Sequence, residues 1–383
     1  MDAPLKVAHL CAGNLYGGVE TFLETFARHE PTVRMESHFL VGWEGRHAEG
    51  LRVAGARVEI VGGARLSRPW QILTVRRRVR ECFLRLRPDV VLVHSGWTQL
   101  VMGPAAIQLG LPLGLWLHND LPSRGVLHRI ARRVRPAGLI ANSQFTAASA
   151  SRWYASRPRV IYYPIDRPPP SDADTRTRLR ESQGATEQTV VLLQASRLQA
   201  WKGHRHTLAA LHPLRHRKDW VWWIAGGAQR PEEEKYRDAL IQEAATLGLS
   251  GHLRWLGHRN DMSDLLTAAD VYCQVNETPE PFGIVFLESL YAGRPVVTGD
   301  AGGIAEVVDD SCGRRVLAGD APRLTAVLTE LLDQPDLRNA LGIRGRDRAT
   351  LFCDPDRQMK AIAACLREIV SAFSKNWPQG AKR

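Results

Sequence analysis

The chain has 383 residues, of which 44% are hydrophobic and 24% charged, and a formal net charge of +11. That length suits two domains of ordinary size, and the composition excludes intrinsic disorder and a disulfide-stapled miniprotein. The six cysteines, Cys11, Cys82, Cys273, Cys312, Cys353 and Cys365, form no C-x-x-C pair. They therefore read as buried, reduced thiols rather than a zinc knuckle or a redox dithiol.

The opening MDAPLKVAHLCAG has one lysine and a short apolar run, so it reads as a first β-strand over Lys6–Cys11 and not as a signal peptide. Further strands are predicted over Glu36–Val41, Arg57–Val61, Asp89–Val93, Pro112–Leu117, Gly138–Ala141 and Arg159–Tyr162. Helical patterns fall between them, at Val19–His29, Gly45–Val53, Trp70–Leu86, Thr98–Leu109, Gly125–Val134 and Gln144–Tyr154. This alternation predicts βαβ units and a doubly wound parallel sheet. Residues 100–117 carry no charge, but Pro104, Gly110 and Pro112 punctuate them like a helix–strand junction rather than a membrane span.

Pro168-Pro169-Pro170 can join neither helix nor sheet, so residues 167–176 read as a linker between a first domain, 1–166, and a second domain, 177–355. There the alternation restarts, with strands predicted at Val190–Gln194, Val221–Ala225, Leu253–Leu256, Val271–Val275, Pro295–Thr298 and Arg315–Leu317. A last helix near Asp356–Phe373, expected to pack back on the first domain, precedes a frayed tail within 356–383. Two Rossmann-like domains of this kind predict an α/β fold with a ligand cleft between them, at the carboxyl ends of both sheets.

Four segments carry chemistry. Gly13-Asn14-Leu15-Tyr16-Gly17-Gly18-Val19-Glu20 links a strand to a helix, where Gly17 and Gly18 allow close backbone approach to phosphate or sugar or simply form a turn. It is not G-x-G-x-x-G, which argues against a nicotinamide site. His118 stands at the carboxyl end of a predicted buried strand; the alternatives are a ligand contact and a structural histidine. Arg197 and Lys202, in Ser196-Arg197-Leu198-Gln199-Ala200-Trp201-Lys202-Gly203, suit a diphosphate. Lysine is scarce, seven in the whole chain, so Lys202 is not read as incidental. In Glu280-Pro281-Phe282-Gly283-Ile284 with Glu288 further on, the backbone N–H groups of Phe282, Gly283 and Ile284 open a helix beside two carboxylates.

Glu280 and Glu288 are spaced E-x7-E, followed by Gly293-Arg294-Pro295-Val296-Val297 and Gly302-Gly303-Ile304-Ala305-Glu306-Val307-Val308. This succession resembles the retaining glycosyltransferases of family 4, which have the GT-B fold. The Arg197–Gly203 segment, the Gly17-Gly18 loop, His118 and the Asn142-Ser143 pair agree with the family in order, although Asn142-Ser143 also suits a helix cap. The sequence departs from the family at Ser196, at Tyr163-Pro164-Ile165-Asp166 in place of N-G-[IV]-D, and at Asn276-Glu277.

The resemblance implies transfer of a sugar from a UDP- or GDP-sugar to an acceptor hydroxyl with retention, in the synthesis of cell-envelope polysaccharide or glycolipid. Arg197 and Lys202 would neutralise the leaving diphosphate, Glu288 would hold the ribose, and Glu280 would orient the transferred sugar. His118 would reach that sugar from the first domain. No cofactor and no divalent metal are expected, since Asp172-Ala173-Asp174 lies in the linker.

The surplus charge lies entirely within residues 1–170, which hold 23 basic and 12 acidic side chains. Arg76, Arg77, Arg78 and Arg80 form one cluster and Arg132 and Arg133 centre another. They read either as a face for an anionic membrane or lipid-linked acceptor at the cytoplasmic membrane surface, or as a solvated basic face. The rival readings are a sugar-nucleotide epimerase of the same fold and a basic nucleic-acid binder, the latter without a recognised reader motif.

Overall fold

The structure, a computed structural model, describes residues 3–14, 16–121, 125–169 and 173–376. Leu15 of the glycine loop, Pro170–Asp172 of the predicted linker and the tail from 377 lie outside the described residues.

The chain forms two compact units. The first runs to Ile165 and takes in the chain again from Cys353; the second is Asp166–Phe352. In the first, β1 (Leu5–Cys11), β2 (Met35–Val41), β3 (Arg57–Ile60), β4 (Val90–Val93), β5 (Leu113–Leu117), β6 (Gly138–Ala141) and β7 (Arg159–Val160) form one sheet in the order β3-β2-β1-β4-β5-β6-β7. In the second, β8 (Val190–Ala195), β9 (Trp220–Ala225), β10 (Leu253–Gly257), β11 (Val271–Gln274), β12 (Val296–Gly299) and β13 (Gly313–Val316) follow the order β10-β9-β8-β11-β12-β13. The strand pairs are parallel, from β1 with β2 and β4 to β12 with β13. Each order reverses direction once, between β1 and β4 and between β8 and β11, and at such a switch point the connections leave for opposite faces of the sheet, which makes room for a ligand.

The central strands are buried on both faces, as parallel strands between helical layers must be, whereas the edge strands β3, β7 and β10 are partly exposed. Val90–Val93 and Trp220–Ala225 are buried at every position, and Trp222 and Trp223 have no exposed surface. The six cysteines are buried and unpaired. The uncharged stretch breaks at Met102 into helices Gly96–Val101 and Gly103–Gln108 and ends in β5. Among the described residues, no helix is long and apolar enough to cross a membrane.

Helix Ala173–Ser182 occupies part of the predicted linker. It has no apolar stripe for periodicity to reveal; its attachment is ionic. Arg176 Nη2 and Arg180 Nη1 donate to the two carboxylate oxygens of Asp270 at 2.8 and 3.0 Å. Those contacts hold the Asp270 carboxyl below its usual range against the opposing effect of burial. Helix Pro355–Asn376 belongs to the first unit, where Ile369 fills the space that a side chain at Gly138 would otherwise occupy.

Candidate functional site

In the second unit the segments singled out from the sequence meet at the carboxyl ends of β8 and β11. The turn after β8 carries Arg197 and Lys202, and Gly203 closes it at φ +74°. A Cβ at Gly203 would lie 1.8 Å from the Val275 carbonyl oxygen, so only glycine lets this turn lie against the end of β11. The Glu277 N–H donates to the Trp201 carbonyl at 2.8 Å and locks the two loops together.

That closeness pairs Lys202 with Glu280. Lys202 Nζ donates to Glu280 Oε2 at 2.8 Å, with side chains only 14% and 12% exposed. Asn276 Nδ2 donates to the same oxygen at 2.7 Å, Gln274 Nε2 to Asn276 Oδ1 at 2.8 Å, and the Tyr272 hydroxyl to Gln274 Oε1 at 2.7 Å. Glu280 Oε1 has no partner among the described residues and remains available to a hydroxyl. Sequence reading missed Asn276 and Gln274 as supports. The available signal was polar residues at 272, 274 and 276, every second position along an otherwise apolar β11 and into the loop that follows it.

Two motifs that are separate in the sequence join here. Glu280 and Gly302 form an isolated parallel bridge, and the Gly303 N–H donates to the Glu280 carbonyl at 2.7 Å. Gly302 is at φ +100°, and a Cβ there would stand 2.2 Å from that carbonyl. Beside the bridge lies a pocket of about 190 Å³ lined by Asn276, Glu280, Thr298, Asp300, Ile304 and Leu317.

The helix predicted to open at Phe282 starts at Ile284, with Gly283 as its left-handed cap at φ +81°. Phe282 is buried. Glu288, one turn further, is partly buried; burial, and then the carboxylate of Asp166, raise its carboxyl to about 7. A carboxylate is the form that accepts hydroxyl protons. If Glu288 holds ribose, nucleotide affinity is expected to fall as pH drops from 8 to 6, and Glu288→Gln to bind weakly but without that slope. The same residue costs stability progressively as pH rises from about 4.5, where the unfolded chain ionises it, to about 7, and the full cost persists above that. Glu288→Gln is therefore expected to raise stability at pH 8 by about 2 kcal/mol, readable in urea melts.

Arg197 is partly buried, and its guanidinium makes no hydrogen bond or ion pair among the described residues. An arginine left unpaired beside a buried Lys–Glu pair is placed to take an anion.

In the first unit, Gly17 caps helix Gly18–His29 at φ −171°, an ordinary extended conformation, and a Cβ there would meet nothing closer than 3.7 Å. Neither backbone geometry nor packing demands glycine at 17. His118 is 5% exposed just beyond β5, and both of its ring nitrogens are engaged. Nδ1 contacts the Tyr163 hydroxyl and Nε2 lies 2.9 Å from His94 Nδ1. Burial, then the neighbouring His94, keep His118 neutral well below the usual histidine range. Ser143 caps its helix by accepting from the Thr146 N–H, whereas Asn142 Nδ2 donates to the His118 carbonyl at 2.9 Å. A pocket of about 270 Å³ borders His94, Trp97, His118, Asp120 and His128.

The basic clusters divide. Arg76 is no part of an exposed face: it is partly buried, and its Nε and Nη2 donate to the carbonyls of Val101 and Leu100 at 3.0 and 2.9 Å, closing the end of helix Gly96–Val101. Arg77, Arg78 and Arg80 are exposed on helix Pro69–Leu86, where Arg77 pairs with Glu81. Trp70 and Leu73 on the same helix are 64% and 65% exposed. Arg132 and Arg133 are exposed just beyond helix Val126–Ala131, whose Val126 is 70% exposed.

The model of the family described as "Glycosyl transferases group 1" matches residues 175–348, and that of "Glycosyltransferase Family 4" matches residues 16–167. The chain is similar to a GDP-mannose-dependent monoacylated alpha-(1-6)-phosphatidylinositol monomannoside mannosyltransferase of Corynebacterium glutamicum, with 30% identity over 58% of this chain and 60% of the relative. It is also similar to a D-inositol 3-phosphate glycosyltransferase of Xylanimonas cellulosilytica, with 33% identity over 68% of this chain and 63% of the relative. The matches thus span a little under two thirds of these curated relatives. Among solved structures, Anabaena HepE in complex with UDP and glucose superposes with a TM-score of 0.84 at 23% identity, covering 95% of this chain and all of that one.

Proposed function

This chain belongs to glycosyltransferase family 4 and has the GT-B fold, and from that premise we propose that it transfers a hexose from a UDP- or GDP-sugar to an acceptor hydroxyl with retention of configuration. The observation that carries the reading is the cluster after β8 and β11: an unpaired Arg197, a buried Lys202–Glu280 pair with one free carboxylate oxygen, and Glu288 on the following helix.

In this reading the diphosphate lies against Arg197 and Lys202. As the bond between anomeric carbon and diphosphate oxygen breaks, charge grows on that oxygen, and fixed cations already in place stabilise it without reorganising. The acceptor oxygen bonds the anomeric carbon from the face the diphosphate leaves, and its proton passes to the departing phosphate oxygen. No protein nucleophile is needed. Glu280 Oε1 accepts from hydroxyls of the sugar, while its other oxygen stays tied to Lys202 and Asn276. Gly17, free of any structural requirement for glycine, suits backbone approach to a ligand.

The two cations supply the charge neutralisation that a divalent ion gives other transferases, so turnover is proposed to survive EDTA. Calorimetric titration with UDP and GDP, with and without EDTA, tests the donor site: binding of one nucleotide supports it, and binding of neither removes it. A sugar-nucleotide epimerase would consume donor with no acceptor present, which the same assays separate.

The pocket beside His118 is proposed for the acceptor, and the exposed helices for a lipid surface. Trp70, Leu73 and Val126 beside exposed arginines combine an apolar and a cationic contribution to an anionic bilayer. These exposed side chains support the proposal that the protein works at the inner face of the cytoplasmic membrane, on a lipid-linked acceptor of the cell envelope. The chain is expected to co-sediment with vesicles rich in anionic lipid at low salt, and Trp70→Ser with Leu73→Ser to weaken that binding. Equal recovery on neutral vesicles would remove the proposal.

A further inference from the structure

His118 is not an isolated histidine. His94 Nδ1 lies 2.9 Å from His118 Nε2, and His94 Nε2 lies 3.0 Å from His9 Nδ1. His9 has no exposed surface, and His94 is 7% exposed. The His9 and His94 rings are 2° from parallel with centroids 5.2 Å apart. With only 3.0 Å between nitrogens, that separation belongs to two rings joined edge to edge in one plane, which aligns an N–H with the next lone pair. His94 and His118 repeat the spacing at 20°. Tyr163 ends the row through its contact with His118 Nδ1.

The direction of the row follows from Asn142. Its amide contacts the His118 carbonyl, which can only accept, so the amide nitrogen lies on that side. The same nitrogen is 3.1 Å from the Tyr163 oxygen and donates its second proton there. The phenol oxygen thus already accepts a hydrogen bond, and a phenol is the better donor, so its own proton goes to His118 Nδ1. That leaves His118 with its proton on Nε2, given to His94 Nδ1, and His94 with its proton on Nε2, given to His9 Nδ1. The row ends at His9 Nε2, which is buried without a partner. That one orphan is the cost of the arrangement.

We infer that Tyr163 and His94 are positioning residues that fix His118 as its Nε2–H tautomer, so that the ring meets a substrate hydroxyl only as a donor, the hydroxyl oxygen taking the place of His94. This rests on the reading that His118 faces the substrate in the first unit. Tyr163 stands where the family pattern has asparagine, so the device belongs to this chain's own sequence.

The test uses the full chain labelled with ¹⁵N-histidine. Long-range ¹H–¹⁵N spectra are expected to give the Nε2–H pattern for His9, His94 and His118, and Tyr163→Phe to destroy it at His118. Tyr163→Phe is expected to lower kcat about tenfold with little change in donor KM, by analogy with lost supports of metal-bound histidines. His94→Gln, which still offers an oxygen to Nε2–H, is expected to retain more turnover than His94→Leu. An Nδ1–H tautomer at His118 in the parent chain would overturn the inference, whether or not the variants fold. So would folded Tyr163→Phe and His94→Leu at parental kcat. Arg197→Ala serves as the separate control: full turnover there removes the donor-site reading, whereas loss there with unchanged His94 and Tyr163 variants removes only this inference.

Discussion

Arg197→Ala is expected to lower kcat by about 10²–10³-fold, the usual loss when one preorganised charge or donor at a developing anion is removed, while urea melts stay close to those of the parent. The guanidinium has no partner among the described residues, so its loss leaves no group stranded. Lys202→Ala is expected to reduce turnover similarly but also to destabilise the second unit. It would leave the Glu280 carboxylate, only 12% exposed, without its cation, and a buried charge stripped of its partner costs about 3 kcal/mol. The double variant Lys202→Ala/Glu280→Gln separates the two effects. Stability should return, since a neutral amide needs no cation, and turnover should not. Recovery of both would mean that Lys202 serves the fold alone.

The second large effect is acid lability of the first unit. His9, His47, His94 and His118 are buried, and burial leads the causes that lower all four, His47 to about 4 and His94 to about 3. Each is neutral when folded, and each takes a proton when the chain unfolds below about pH 6.5. The unfolded state therefore binds more protons, and stability is lost as pH falls from 6.5 toward the folded values. At pH 5 His47 and His94 each subtract about 2 kcal/mol, and His9 and His118 act in the same direction. Together they approach the whole stability of an ordinary domain, about 5–15 kcal/mol. Pulse-labelled hydrogen exchange after incubation between pH 8 and pH 5 is expected to show β1, β4 and β5 opening near pH 5. Protection that is flat across this range would mean that the imidazoles are not neutral in the native state.

The sequence conveys some of these features directly and hides others for physical reasons. Strand–helix alternation reports a parallel sheet wherever apolar runs are long, as at Val90–Val93, and the strands from β1 to β13 were located to within a few residues. The helix at Ala173–Ser182 escaped because ion pairs to Asp270, not apolar periodicity, attach it. Lys202 and Glu280 were legible as motif residues, but their 2.8 Å pairing depends on two loops locked by Gly203 and the Glu277–Trp201 hydrogen bond.

His9 lies on β1, and His94 and His118 stand just beyond β4 and β5, strands far apart in sequence. Only the order β1-β4-β5 brings their ends side by side, and no local pattern records it. Arg76 illustrates the reverse error. Composition groups it with exposed neighbours, while the helix turns it toward two carbonyls that need a donor.

The central claim is that a nucleotide-sugar is cleaved at Arg197 and Lys202 only to serve an acceptor. The most direct measurement is nucleotide release by the full chain across a panel of UDP- and GDP-sugars, with and without lipid extract, beside Arg197→Ala. The predicted result is release from one donor that rises when extract is added and is lost in the variant. Release from no donor, or release that Arg197→Ala leaves intact, would contradict it.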